Sequence, residues 1–250
     1  MEYRDYLGQL DRDIGELLAR MGSAELATEV PSCPGWSLAD LAYHLAEGYQ
    51  HKIEVIRTGV RPDPWPPESP RQIWGAPVLE FLEASAADFA TELRRREPDQ
   101  PCWTWYPEDQ TVGFWARRMT HETVVHRWDA EDSVHQHTPI DAGIAVDGID
   151  ELLVVFLSGD WSDDPQPPPF GDVDVIAGRA RWRVSLSADE VVARSWPLPM
   201  GNSPTADAQL EGPEQALLLS LWGRQTSRPS VAGDQALIVS LRDRLSLVTR

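Results

Sequence analysis

The sequence predicts an α+β protein of two domains, a four-helix bundle over residues 1–138 and a smaller α+β domain with an antiparallel sheet over residues 139–250. Three observations favour this fold class. Apolar residues at helical spacing dominate the first half, whereas short alternating segments occur only in the second half. A proline-rich stretch, residues 61–70, forms a long link between the second and third helices, which is typical of a bundle with a crossover connection. At 250 residues the chain is also long enough to bury a sizeable core.

The first two helices are predicted from their apolar spacing and from their ends. Over residues 5–21 the apolar side chains recur three and four positions apart, and a glycine follows as the expected cap. The second helix is expected to begin after Ser37, because Asp40 stands three positions later and the two form a capping-box start. It is expected to end near Thr58, where glycine and then proline follow.

The third and fourth helices complete the predicted bundle. Apolar residues repeat with helical spacing over residues 77–96 and again over residues 112–133. The loop between them, residues 97–109, holds more aromatic side chains than a simple linker needs. These aromatic side chains either line a ligand pocket or, as is more usual, pin the loop to the core.

The second half alternates between helical and extended patterns. Residues 143–157 are predicted to be helical, and two further helices are expected near the end of the chain, at 215–222 and 234–247. Four alternating segments between these helices predict strands that pair in an antiparallel sheet, at residues 172–176, 180–186, 191–196 and 205–210.

Composition limits the classes of partner. The formal net charge of −18 argues against nucleic acid and against an anionic membrane surface, since both require a basic protein face. No apolar run is long enough to span a bilayer, and the first residues lack the apolar core of a signal peptide, so a cytoplasmic location is expected.

Two cysteines, Cys33 and Cys102, are too few for a disulfide framework. A monomer and a small homo-oligomer both remain open.

Potential metal ligands occur on two of the predicted helices. Glu122 and His126 are four positions apart on the fourth helix, so both side chains project from one helical face. His44 lies in the apolar stripe of the second helix and is the third candidate ligand. Two imidazoles and one carboxylate form the ligand set of an open catalytic metal site, in which water or substrate fills the remaining position.

The same residues also have a simpler interpretation. In that interpretation His44 is a hydrogen-bonded core histidine, and Glu122 is only a helical neighbour of His126. His121 and His51 are the alternative ligands. We favour Glu122 over His121 as the first ligand of the fourth helix, because only Glu122 shares a face with His126.

Arginines in the second half are candidates for substrate binding. Arg181 and Arg183 alternate with Trp182 on a predicted strand, so the two cations share one face. Paired arginines can grip a carboxylate substrate, and Arg224, after the apolar helix, offers the same chemistry. The alternative is that these arginines lie on a solvated face and pair with neighbouring aspartate or glutamate residues.

The segments that carry the candidate ligands resemble a known family. Pro-Gly-Trp-Ser-Leu-Ala-Asp-Leu-Ala-Tyr-His-Leu begins at Pro34, and Arg-Met-Thr-His-Glu-Thr-Val-Val-His-Arg-Trp-Asp-Ala-Glu begins at Arg118. Both resemble motifs of the mycothiol-dependent maleylpyruvate isomerase family, part of the DinB-like metalloenzyme superfamily. Residues 145–153 and 219–224 resemble parts of that family's C-terminal domain, so the similarity covers nearly the whole chain.

The resemblance implies a fold, a metal site and a chemistry. It implies a DinB-like metal-binding bundle followed by a domain resembling sterol carrier protein 2 (SCP2-like). A divalent ion, with zinc expected, would be held by His44, Glu122 and His126. Mycothiol would be the thiol cosubstrate, whose thiolate adds to a small electrophilic substrate that the protein isomerises or conjugates. Arg181, Arg183 and Arg224 would then anchor substrate carboxylates.

Two alternative functions use the same scaffold. The first is a mycothiol S-transferase or detoxifying enzyme, which needs the same metal and thiol. The second is a non-catalytic binding or regulatory protein that keeps the bundle with a structural metal. The complete ligand set favours an enzyme.

Overall fold

The computed structural model describes residues 1–63, 75, 77–195, 205–224 and 228–249. The chain divides into two compact units, Met1–Thr138 and Pro139–Arg250. The α+β class predicted from the sequence is confirmed, because the first unit is helical and the second contains a six-stranded sheet. Among the described residues, no helix has both the length and the apolar character needed to cross a membrane.

Four long helices form the first unit. They are α1 (Tyr3–Gly22), α2 (Leu38–Thr58), α3 (Pro77–Arg94) and α4 (Val112–Asp132). In this bundle α1 packs on α4 and α2 packs on α3, with further contacts between α2 and α4. Each helix lies within about two residues of its predicted position. Most of the proline-rich link after α2 lies outside the described residues.

The ends of α2 follow from local chemistry. The Ser37 hydroxyl accepts a hydrogen bond from the Asp40 amide, and the Asp40 carboxylate accepts one from the Ser37 amide at 2.8 Å. This is the capping box that the sequence predicts, and such a cap contributes about 1 kcal/mol. Gly59 ends the helix in the left-handed conformation, with φ of 71°, where a side chain would be strained. The helix that carries His44 is therefore fixed at both ends.

Helix α4 is buried on most of its circumference and carries an internal ion network. Arg127, only 1% exposed, binds Asp13 of α1 at 2.8 Å and Glu131 of α4 at 2.9 Å. The Glu131 carboxylate also accepts a hydrogen bond from the Thr138 amide. These paired buried charges tie α1 to α4, the helix that supplies two of the candidate ligands.

The second unit is built on a mixed sheet with strand order β1-β4-β3-β2-β5-β6. Helix α5 (Ala142–Asp150) continues directly into a π-helix (Glu151–Leu157), where the sequence predicts one continuous helix. Two helices follow later, α6 (Glu214–Leu221) and α7 (Gln235–Val248). The strands are β1 (Gly159–Asp160), β2 (Gly171–Ala177), β3 (Ala180–Leu186), β4 (Glu190–Ser195), β5 (Ala208–Gly212) and β6 (Ser230–Gly233).

Two features of the sheet differ from the prediction. Strands β2 and β5 pair in parallel, so the sheet is mixed where the sequence analysis expects an antiparallel one. The reason is topological. Strand β4 runs in the same direction as β2, and the chain then rejoins the sheet on the far side of β2 in that same direction. Strands β1 and β6 are additional to the prediction, since they are short and exposed and show no alternating pattern.

Candidate metal centre

The structure brings the three predicted metal ligands together. His44 projects from α2, and Glu122 and His126 project from α4. Oxygen Oε1 of Glu122 lies 3.0 Å from Nε2 of His44 and 3.3 Å from Nε2 of His126. One ligand atom from each residue falls within 4.8 Å of the other two. The i,i+4 spacing on α4 therefore does present both side chains to one point facing α2.

The three side chains differ in exposure. The His44 side chain is 42% exposed, Glu122 is 23% exposed and His126 is 11% exposed. The cluster is therefore most exposed at His44, on α2, and most buried at His126, on α4.

A buried arginine keeps the glutamate ionised. Arg118, one helical turn before Glu122 on α4, donates a hydrogen bond to Oε2 of Glu122. Burial alone would raise the pKa of Glu122, but Arg118 and the two imidazoles outweigh burial and hold that pKa well below its ordinary value. Glu122 is thus a carboxylate with Oε2 occupied by Arg118 and with Oε1 directed at the imidazoles.

The second nitrogen of His126 also has a partner. Nδ1 of His126 lies 2.9 Å from Oδ2 of Asp129, which is fully buried. Burial would lower the pKa of His126, but hydrogen bonds to Asp129, Cys33 and Glu122 outweigh it and raise the pKa well above its ordinary value. Both ring nitrogens of His126 are consequently oriented by carboxylates.

The loop before α2 packs against the cluster. Trp36 lies 4.9 Å from the His44 ring and 6.4 Å from the His126 ring, measured between centroids, and it stacks on the latter. In the same loop, Ser32 donates a hydrogen bond to Oδ1 of Asp129 at 2.6 Å and Cys33 donates one to Oδ2 at 3.8 Å. The loop is thereby held to α4 beside His126.

Sequence reasoning missed four residues around the cluster, namely Trp36, Cys33, Arg118 and Asp129. For the last two a signal exists in the sequence. Arg118 stands four positions before Glu122, and Asp129 stands three positions after His126, and both spacings make helical neighbours. Trp36 and Cys33 lie in an irregular loop, whose spacing predicts no contact with α4.

The alternative histidine ligands lie elsewhere. His121 is 2% exposed and packs edge-on against Tyr6 of α1, with ring centroids 6.2 Å apart. Nδ1 of His51 lies 2.9 Å from Nζ of Lys52, and burial together with that cation lowers the pKa of His51 to about 4. Neither histidine belongs to a potential ligand cluster within the part of the chain that the structure describes.

A second group of potential ligands shares His126. Cys33, His126 and Asp129 also offer ligand atoms that lie within 4.8 Å of one another. This group is more buried than the first, because Asp129 is fully buried and Cys33 is only partly exposed. It lies on the Nδ1 side of His126, where Asp129 is the hydrogen-bond partner.

The candidate arginines of the second unit have partners within that unit. Arg183 binds both carboxylate oxygens of Asp174 on the neighbouring strand, at 2.9 and 3.0 Å, and Arg181 also donates to Asp174. The alternative interpretation expects a neighbouring acidic partner for these arginines. That partner is present. Arg224 donates to the Trp222 carbonyl at 2.8 Å. Their role as substrate anchors stays a prediction.

The fold and the cluster define a class of protein, a helical bundle with a histidine–glutamate–histidine site followed by an α+β unit. The family model described as "Mycothiol maleylpyruvate isomerase N-terminal domain" matches residues 7–131. The model described as "MDMPI C-terminal domain" matches residues 143–239. The chain therefore belongs to the mycothiol maleylpyruvate isomerase family, which confirms the resemblance found in the sequence.

Solved structures share this fold. A crystal structure of the mycothiol-dependent maleylpyruvate isomerase aligns with a TM-score of 0.57 at 11% identity, over 93% of this chain and 93% of that chain. A crystal structure of a histidine-to-alanine mutant of the mycothiol-dependent maleylpyruvate isomerase aligns with a TM-score of 0.60 at 10% identity, again over 93% of each chain. At such low identities the likeness shows the fold alone. No curated protein matches the sequence.

Proposed function

We propose that this chain is a divalent-metal-dependent enzyme that uses a mycothiol-like thiol to isomerise or conjugate a small electrophilic substrate. Zinc is the expected ion, and the cytoplasm is the expected location. One observation carries the proposal, the convergence of His44, Glu122 and His126 at one point between α2 and α4. Membership of the family supports the choice of thiol and of substrate class.

The donor set suits a divalent ion such as zinc. Zinc accepts imidazole nitrogen and carboxylate oxygen, and three protein ligands leave a further position for an exogenous group. Here two imidazoles and one ionised carboxylate offer atoms within 4.8 Å of one another. A bound divalent ion would lower the pKa of a coordinated thiol and so supply a thiolate at neutral pH.

Residues around the cluster set the charge of Glu122 and the access to the site. Arg118 keeps Glu122 ionised and occupies the oxygen that faces away from the imidazoles. Trp36 packs against both histidine rings, at 4.9 Å from His44 and 6.4 Å from His126 between centroids. The half-exposed His44 leaves the α2 side open, so we expect thiol and substrate to enter at that side.

Thiol addition explains both reactions in the proposal. In isomerisation a thiolate adds to one carbon of a cis double bond conjugated to a carbonyl, and the electron pair moves to the carbonyl oxygen. Rotation about the new single bond and expulsion of the same thiolate give the trans isomer, so no atom is gained or lost. In conjugation the adduct takes up a proton at carbon and is released with the thiol attached.

Metal binding is the first test, and the chain offers a matched control. We expect zinc to bind wild-type protein at one ion per chain, with affinity reduced at least tenfold in His44→Ala, as measured by titration calorimetry. His137 is the control, since its side chain is 40% exposed and also pairs with a carboxylate, Asp132 at 2.9 Å. His137→Ala should bind zinc like the wild type. Wild-type protein that binds no divalent ion under any loading condition would overturn the proposal.

Thiol binding is the second test. In cobalt-loaded protein, added mycothiol should produce the intense near-ultraviolet absorption of sulfur bound to the metal. Protein that binds cobalt but shows no such band would overturn the thiol dependence and leave the metal site standing. Mass spectrometry of the product from an α,β-unsaturated carboxylic acid then separates the two reactions, because only conjugation leaves the thiol on the product.

A further inference from the structure

Hydrogen bonds from two elements of the bundle converge on one buried carboxylate near the candidate metal centre. Asp129 is fully buried on α4. Its Oδ1 accepts from the Ser32 hydroxyl at 2.6 Å, and its Oδ2 lies 2.9 Å from Nδ1 of His126. The Cys33 thiol donates to Oδ2 at 3.8 Å. Asp129 thus joins the loop before α2 to the face of α4 that carries His126.

We propose that Asp129 is a positioning residue that holds Nδ1–H of His126 and thereby turns Nε2 of that ring towards Glu122 and His44. The same carboxylate also holds the loop that contains Ser32 and Cys33. Trp36 of this loop packs against the rings of both histidines. This inference rests on the proposed function, because it describes how that metal site is oriented.

The chemistry of imidazole supports this role. A histidine can bind a metal only through a nitrogen that carries a lone pair, so the proton must reside on the other nitrogen. A carboxylate that accepts from Nδ1–H keeps the proton there and makes Nε2 the binding atom. Asp129 follows His126 by three positions on the same helix, so the helix itself fixes their relative placement.

The cysteine-containing group suggests a competing interpretation, a second metal position at Cys33, His126 and Asp129. Two contacts favour positioning instead. The Sγ atom of Cys33 lies 3.8 Å from Oδ2 of Asp129, a distance that fits a weak sulfur hydrogen bond to this carboxylate. The Ser32 hydroxyl already occupies Oδ1 of Asp129. Substitution of Cys33 separates the two interpretations.

Glu131 provides a matched control for Asp129. Both are fully buried carboxylates on α4, but Glu131 binds Arg127 and the Thr138 amide instead of a candidate ligand. Loss of either carboxylate should lower the melting temperature of metal-free protein. Only loss of Asp129 should change metal binding.

The experiment measures zinc affinity by chelator competition in Asp129→Asn, Glu131→Gln and Cys33→Ser. We expect zinc to bind Asp129→Asn about 10- to 100-fold more weakly than wild type, a range typical of residues that hydrogen-bond a metal-binding histidine. The other two variants should stay within about twofold of wild type. Wild-type affinity in Asp129→Asn would overturn the inference. So would an equal loss in Cys33→Ser, which would assign the metal to the second group.

Nuclear magnetic resonance gives a readout that needs no metal. Wild-type protein, with and without zinc, should show a downfield Nδ1–H proton of His126 in slow exchange with solvent, and Asp129→Asn should lack it. Because this proton is observed in the wild type, the result stands even if the variant does not fold. A wild-type protein without the proton would overturn the inference. Failure of zinc binding with the proton present would instead overturn only the proposed function.

Discussion

Arg118 binds the oxygen of Glu122 that faces away from the two histidines, while both imidazoles approach the other oxygen. One carboxylate thus divides its two oxygens between a fixed cation and the candidate metal centre. Arg118 is 6% exposed, so its charge is shielded little by solvent.

We expect Arg118→Met to destabilise metal-free protein by about 1–3 kcal/mol, because Glu122 loses its permanent cationic partner. Added zinc should raise the melting temperature of this variant by more than it raises that of wild type, because the ion would neutralise the same carboxylate. Calorimetry with and without zinc measures both effects. Arg94→Met is the control, since Arg94 forms an exposed pair with Asp11 and should contribute less than about 1 kcal/mol.

The buried network of Arg127 should contribute more to stability than any surface pair. Arg127→Met leaves Asp13 and Glu131 buried without their cation, and the expected loss in free energy of unfolding is about 3–5 kcal/mol. Urea denaturation of the metal-free protein measures it. A loss no larger than that of Arg94→Met would show that the network contributes no more than a surface pair.

The stability of the bundle should depend on pH through Glu92. This α3 residue is 4% exposed and binds Arg57 and Arg96. Burial alone would raise the pKa of Glu92, but the two arginines outweigh it and lower the pKa below the ordinary 4.5. A lowered folded-state pKa stabilises the protein above about pH 4.5, and this contribution is lost as the pH falls through the folded-state value.

Glu92→Gln isolates that contribution. We expect the variant to be about 1–2 kcal/mol less stable than wild type at pH 7, and the difference should shrink steadily below about pH 4.5. Urea denaturation at a series of pH values tests the sign. If the difference in free energy of unfolding between wild type and Glu92→Gln grew as the pH fell, the assignment of the ion pairs to Glu92 would be wrong.

Trp36 should limit access to His44. Removal of the indole in Trp36→Ala uncovers one side of the half-exposed imidazole. We therefore expect the rate at which diethyl pyrocarbonate modifies His44 to rise several-fold, as followed by peptide mass spectrometry. The modification rate of His137 serves as the internal reference, since Trp36 does not stack on it. Equal rates in variant and wild type would show that Trp36 does not cover the site.

The helices and the shared face of two candidate ligands could be predicted from sequence because their determinants are local. The i,i+4 spacing of Glu122 and His126 fixes a shared face, and the Ser37–Asp40 pair fixes a helix start. The parallel pairing of β5 with β2 was missed, because it depends on which edge of the sheet the chain rejoins. No local pattern specifies that choice.

Contacts that join distant segments were also missed. Ser32 and Asp129 are separated by 97 positions, and an irregular loop carries no periodicity that would indicate its partner. The apolar stripe of α2 and the family resemblance indicate His44. Its contact with Glu122 depends on how α2 packs against α4, which no local pattern specifies.

The cluster joins residues that stand 78 positions apart in the chain. An ion held by both His44 and Glu122 would therefore act as a removable cross-link between α2 and α4, closing a loop that includes all of α3. Because the unfolded chain does not hold the two side chains together, the ion would be released on unfolding and would stabilise only the folded bundle, by about 2.7 kcal/mol when the free ion stands at about 100 times its dissociation constant. A chelator would therefore lower the melting temperature of the bundle as well as empty the candidate site.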